Sequence, residues 1–176
     1  MPFISLRTVL TTRMVATGVH ILISLALIVL LFRSERPEPY LVTALAAAVP
    51  DIDTFVFRPL IELGYLEGAL WMHRGLTHSL LAGIAFTILL AAFGPWRAAA
   101  IGFGSHILLD SLSGGVRPFA PFDLTLYGVS VDWLLLNMLI SIIAVSVTLG
   151  GLLGMKYDFG RQVVSHPPET VSERFR

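Results

Sequence analysis

Seven residues of this chain can hold a cation or move a proton: His20, Asp51, Asp53, His73, His78, His106 and Asp110. They stand in a sequence that is 55% hydrophobic and only 14% charged. Polar groups in such a background are costly, so a group of them needs a reason. The densest stretch is Trp71 to Leu81, WMHRGLTHSLL, which sets two histidines, Arg74, Thr77 and Ser79 directly before a long apolar run. His106 and Asp110 are i and i+4, so on a helix they share one face. Asp51 and Asp53 flank Ile52 beside Pro50, and both carboxylates reach one point only where the helix is broken. His73 and His78 diverge on a regular helix; with Thr77 as a helix cap, His73 falls in the preceding loop. Imidazoles and carboxylates together suit Zn²⁺, Mn²⁺ or a similar divalent ion, one or two of them. Such an ion activates water at neutral pH, and Arg74 is then available to hold a phosphate or another oxyanion.

The elements that must position these residues are membrane helices. The mean hydropathy is +0.79. There is no cysteine, which excludes disulfides and thiolate ligands. Net charge is zero and the basic residues are scattered, so no nucleic-acid partner is expected. Met1 to Arg13 is a mildly amphipathic lead-in, and the apolar run after it is expected to be a retained anchor with no cleaved signal. Apolar runs predict five spans at Met14–Phe32, Tyr40–Phe57, Ser79–Trp96, Ala98–Leu112 and Val131–Met155. Arg58 to Met72 reads as an interfacial amphipathic helix, interrupted by Gly64 and Gly68. Residues 113–130 form a Gly/Pro-rich loop too irregular for lipid unless protein covers it. Asp123 and Asp132 read as loop and helix-start residues.

Spans alternate in direction, and this brings the seven residues together. His20 lies near the start of the first span, Asp51 and Asp53 near the end of the second. His73 and His78 lie at the start of the third, His106 and Asp110 near the end of the fourth. All seven therefore fall on one side of the membrane, within about two turns of the interface at roughly 1.5 Å per residue. Each has a plain structural alternative. His20 can be an interhelical hydrogen-bond partner, Pro50-Asp51-Ile52-Asp53 a helix end, His106 with Asp110 a buried pair, and His73-Arg74-Gly75 a basic interfacial loop. Those alternatives would have to hold independently while all seven share one face. His166, beside Pro167-Pro168, receives no role. Arginines flank both sides about equally, so the charge pattern assigns no orientation.

The same residues resemble a known family. His73-Arg74-Gly75-Leu76-Thr77-His78-Ser79, preceded by Pro50-Asp51-Ile52-Asp53 and followed by Gly104-Ser105-His106-Ile107-Leu108-Leu109-Asp110, is similar to the membrane-bound metal-dependent hydrolases, also described as LexA-binding, inner-membrane-associated hydrolases. Gly18-Val19-His20 resembles the family's early Gly-His, with one residue intervening. Ser113-Gly114-Gly115-Val116 with Pro121-Phe122 resembles its glycine-containing loop, with Ser113 where threonine is usual. The resemblance covers about residues 18 to 122. It implies a multi-pass prokaryotic membrane protein with metal-dependent hydrolase activity. LexA binding is not carried over, because no stretch here supports it.

The expectation is thus an all-α, multi-pass protein of the cell membrane. It has one helical domain over residues 1–158 and a polar, disordered tail over 159–176. His20, Asp51, Asp53, His78, His106 and Asp110 are the proposed ligands of one or two Zn or Mn ions, with His73 next in line. His73 and Arg74 are the candidate catalytic residues. The expected reaction is hydrolysis of a phosphoester or related bond in an amphiphilic, lipid-like or phosphorylated substrate drawn from the bilayer. The rival readings are a metal or proton transporter and a non-catalytic scaffold.

Overall fold

A computed structural model describes residues 6–157, with side chains from Thr17 onward. The amphipathic lead-in, His166 and the expected tail lie outside the described side chains. The described chain is all-helical, in the order α1 Leu6–Phe32, α2 Glu38–Ala48, α3 Asp53–Glu62, α4 Leu80–Leu90, α5 Trp96–Leu112 and α6 Trp133–Lys156. Its only extended pairings are two isolated bridges, Ser113 with Ser130 and Val116 with Tyr127, inside the expected loop.

The short polar loop 33–37 turns α1 into α2, with Pro37 at the N-cap of α2 and Pro39 in its first turn, where a missing N–H is tolerated. At Pro50 the chain does not break. A 3-10 turn, Val49–Ile52, carries α2 directly into α3, so one helical run extends from Glu38 to Glu62. The expected interfacial helix from Arg58 to Met72 is not formed beyond Glu62. Gly64 and Gly68 adopt φ of 79° and 95°, the left-handed region that ends a helix. The chain then winds irregularly through the WMHRG stretch to a second 3-10 turn, Leu76–His78.

Two further expectations shift. The cap of α4 is Ser79, whose hydroxyl accepts from Ala82 N at 3.1 Å; Thr77 is occupied elsewhere. Helix α4 has 11 residues where 18 apolar positions had suggested a full span. At 1.5 Å per residue it is about 16 Å long, roughly half the hydrocarbon thickness. Two helical runs among the described residues, Glu38–Glu62 and Trp133–Lys156, are long and apolar enough to cross a bilayer.

Packing centres on α5, which lies against α1, α2 and α4, while α6 rests on α1. The buried cluster of Ile28, Val42, Ala46, Leu90, Ala98, Ala99 and Phe103 joins those four helices. Small residues let the backbones approach, the device that substitutes for the hydrophobic effect between membrane helices. At Gly102 a Cβ would strike the Thr43 carbonyl, and Thr43 Oγ1 donates to Ala98 O at 3.0 Å across the same contact. Asp132 caps α6 by accepting from Leu135 N at 2.8 Å, the helix-start role its position suggests.

Candidate metal centre

The packing brings all seven candidate residues to one end of the bundle. His20 comes from α1, Asp51 from the 3-10 turn, Asp53 from the first turn of α3, His78 from the second 3-10 turn, and His106 and Asp110 from α5. His20, Asp53, His78, His106 and Asp110 are each at most 3% exposed.

Four atoms face one another. His78 Nε2 lies 3.2 Å from His106 Nε2 and 3.2 Å from Asp110 Oδ2. His106 Nε2 lies 3.6 Å from Asp110 Oδ2, one helical turn along the same face of α5. Asp51 Oδ1 stands 3.8 Å from His78 Nε2 and 3.7 Å from His106 Nε2.

The outward atom of each residue is held by a partner that fixes what the inward atom can be. His106 Nδ1 is 2.7 Å from the Ala47 carbonyl, which can only accept, so Nδ1 carries the hydrogen and the neutral ring presents a lone pair at Nε2. Pro50, with no N–H to give the turn before it, leaves acceptor capacity there. Thr77 Oγ1 donates its single hydrogen to Asp53 Oδ2 at 3.0 Å. Toward His78 Nδ1, also at 3.0 Å, it can then only accept, so Nδ1 carries a hydrogen and the neutral form of His78 too presents a lone pair at Nε2. Thr17 Oγ1 donates to Asp51 Oδ2 at 2.6 Å. Arg74 Nη2 donates to Asp110 Oδ1 at 3.0 Å. Four acceptors thus converge in a buried space, and Asp110 Oδ2 has no hydrogen-bond partner among the described residues. Positive charge must sit between them, as a shared proton or a cation.

The donor set fits a divalent cation. Zinc bonds to imidazole nitrogen and carboxylate oxygen are about 2.0–2.2 Å, which makes the edges of a tetrahedral ligand set roughly 3.3–3.5 Å. The separations of 3.2–3.8 Å bracket that value. The outer partners, Ala47 O, Thr77, Thr17 and Arg74, orient the ligands as supporting groups do in metal sites.

The remaining candidates flank this centre. His20 stacks on His106 with ring centroids 3.8 Å apart, and its Nε2 is 3.5 Å from Asp110 Oδ1. Its Nδ1 is buried without a hydrogen-bond partner. His20, His106 and Asp110 therefore offer a second, adjoining set of donors. Asp53 is on the far side of the His78 ring, bonded to Thr77 and to His73 Nδ1 at 3.1 Å. Its geometry orients His73 and, through Thr77, His78; with those two histidines it forms a third donor group.

Arg74 departs from the expected oxyanion clamp. Its guanidinium turns inward, donating to Asp110 Oδ1, Ser113 O and Ser113 Oγ at 3.0–3.1 Å. Its backbone has φ 66°, a strained value for a residue with a side chain. The charge of Asp110 holds it there. Thr17 and the Ala47 carbonyl were not singled out in the sequence, and Ser113 was read only as part of the glycine-containing loop. Thr17 could have been found, because it lies three residues before His20 on the same helix face.

A cavity of about 420 Å³ opens beside the centre, lined by Asp53, His73, Arg58, Trp71, Met72 and Arg117 among others. His73 is its link to the buried cluster: the side chain is 34% exposed, and its ring centroid is 5.0 Å from that of His78.

No curated protein and no solved structure matches the chain. The family model described as YdjM inner membrane protein matches residues 14–164, which includes every residue of the centre. The chain belongs to the YdjM family of inner membrane proteins.

Proposed function

We propose that the chain is a multi-pass, metal-dependent hydrolase acting on a phosphoester or related bond of an amphiphilic substrate. The observation that carries the reading is the convergence of His78 Nε2, His106 Nε2, Asp51 Oδ1 and Asp110 Oδ2, two imidazoles and two carboxylates, beside an open cavity. Those four residues would hold a first divalent ion, with His20 completing or extending the set. When bound, such an ion supplies Lewis-acid activation of water and of an oxyanion.

The chain's own residues divide the remaining work. Asp53 accepts from His73 Nδ1, which turns the other ring nitrogen into the basic position, suited to general acid–base transfer in the cavity. Thr77 and the Ala47 carbonyl fix the ring tautomers. Arg74 is a positioning residue for Asp110. In the cavity, Arg117 bonds no carboxylate among the described residues and Arg58 pairs with Glu62 at its rim. Ile61, Trp71 and Met72 supply apolar wall. An anionic head group with an attached hydrocarbon chain matches that lining.

A full crossing by five helical passes is part of the proposal. Although α4 is short, the turn after it reaches the far end of the bundle: Gly94 lies against Glu38, the first residue of α2. The centre sits where helices begin and end, which favours hydrolysis at a membrane surface over transport through a midplane site.

The test is release of inorganic phosphate from phosphorylated amphiphiles by the purified protein with added Zn²⁺ or Mn²⁺. Substitution His73→Gln should lower turnover about 10²–10⁴-fold while metal content is retained. Fully metallated protein that hydrolyses no phosphoester, or a His73→Gln variant with unchanged turnover, would defeat the reading.

A further inference from the structure

Between the buried centre and α6, residues 117–131 form a hairpin whose outer surface is strongly apolar. Phe119, Phe122, Leu124, Leu126, Val129 and Val131 are between 39% and 90% exposed, with Phe122 the most exposed of them. Isolated exposed hydrophobics are ordinary, but a contiguous set on one short loop marks a surface that meets something.

The hairpin also ties many of its own polar groups together. Val116 and Tyr127 exchange both backbone hydrogen bonds, at 2.8 and 2.9 Å. Phe122 N and Asp123 N both donate to Phe119 O, and Val129 N and Val131 N donate back to the end of α5. The Asp123 carboxylate is tied to Thr125 N at 2.8 Å and accepts from the Tyr127 hydroxyl at 3.1 Å. Arg117 Nε is spent on the Leu124 carbonyl. A loop that satisfies its own polar groups can leave water at low cost, which an irregular exposed loop cannot.

We propose that this hairpin inserts into the head-group region of the bilayer and fixes the depth at which the centre sits. The occupant is lipid because the apolar face resumes in α6 directly beyond the capping Asp132, whose carboxylate is tied to Leu135 N. The first turn of that helix exposes Leu134 and Leu135, and its buried residue is Ala144. The aromatic pair Phe119 and Tyr127, edge to face at 5.6 Å, is of the kind that settles at membrane interfaces. The hairpin root is also pinned to the motif loop: Arg117 N donates to Arg74 O and Leu80 N to Pro118 O. Its depth is therefore transmitted to the ligands. The inference needs only the membrane association of the family and not the hydrolase reading.

The chain contains no cysteine, so a single reporter can be introduced without background. An environment-sensitive fluorophore on Phe122→Cys, and separately on Leu126→Cys, is followed in the full-length protein in phosphatidylglycerol–phosphatidylcholine vesicles. Quenchers placed shallow or deep on the lipid chains are compared with aqueous iodide. At both positions the shallow lipid quencher should be about twofold or more stronger than the deep one, and iodide weak. Iodide quenching equal to that of the free label, with no lipid quenching, would overturn the insertion. Stronger quenching from the deep position would overturn the head-group placement.

Discussion

Helices α5 and α6 are both apolar, yet they do opposite things. Eight of the 17 residues of α5 are buried, His106 and Asp110 among them, and three other helices pack around it. In α6, 24 residues long, Ala144 is the buried one among those described, and Leu134, Ile142 and Leu149 are more than half exposed. Its contact with the centre is Trp133, whose ring lies 6.2 Å from that of His20. A helix that carries buried ionisable residues must be enclosed, because such groups are tolerated in a membrane only where other helices satisfy them. A helix that carries none can pack by one face alone, as α6 does against α1. Ala98, Ala99 and Gly102 let α5 accept close neighbours within the shared core, whereas the close approach on α6 is Gly151 against Val29 of α1.

The largest effects should follow from removing a ligand on α5. His106→Ala and Asp110→Ala should each take bound metal from about one ion per chain or more to near none, with activity lost in parallel. Elemental analysis of each purified variant measures this; stoichiometric metal in both would remove those residues from the centre. A smaller change is expected one bond further out. Thr77→Val frees the His78 tautomer and should weaken metal affinity about 10–100-fold. Competition with a chromophoric chelator reads it, and an unchanged affinity would dismiss the tautomer argument.

Packing substitutions sharpen the same contrast. Gly102→Val drives a side chain into the Thr43 backbone and should destabilise by about 1–3 kcal/mol. Ile142→Ala or Leu149→Ala on α6 should change stability by no more than about 0.5 kcal/mol. Thermal unfolding in one detergent compares the three. Equal losses on the two helices would mean that α6 is buried in an assembly.

The gathering of the seven polar residues was legible in the sequence because it depends only on the order and alternating direction of helices. Finer geometry was not. Asp51 and Asp53, two positions apart, separate onto opposite sides of His78 because the chain between Val49 and Ile52 is a 3-10 turn rather than a break. The inward turn of Arg74 follows from a left-handed backbone that residue types alone do not announce. The end of α4 at Leu90 was hidden because Ala91, Ala92 and Phe93 remain apolar through the turn that follows. Hydropathy reports what lipid tolerates and not where hydrogen bonding changes register.

The claim on which the account depends is that the converging acceptors hold a cation. Metal content of the detergent-purified protein, saturated with Zn²⁺ or Mn²⁺ and freed of excess ion, tests it against the double variant His78→Ala/His106→Ala. The account predicts about one or two ions per chain in the native protein and fewer than about 0.1 in the variant. Metal-free native protein, or equal metal in the two, would contradict it.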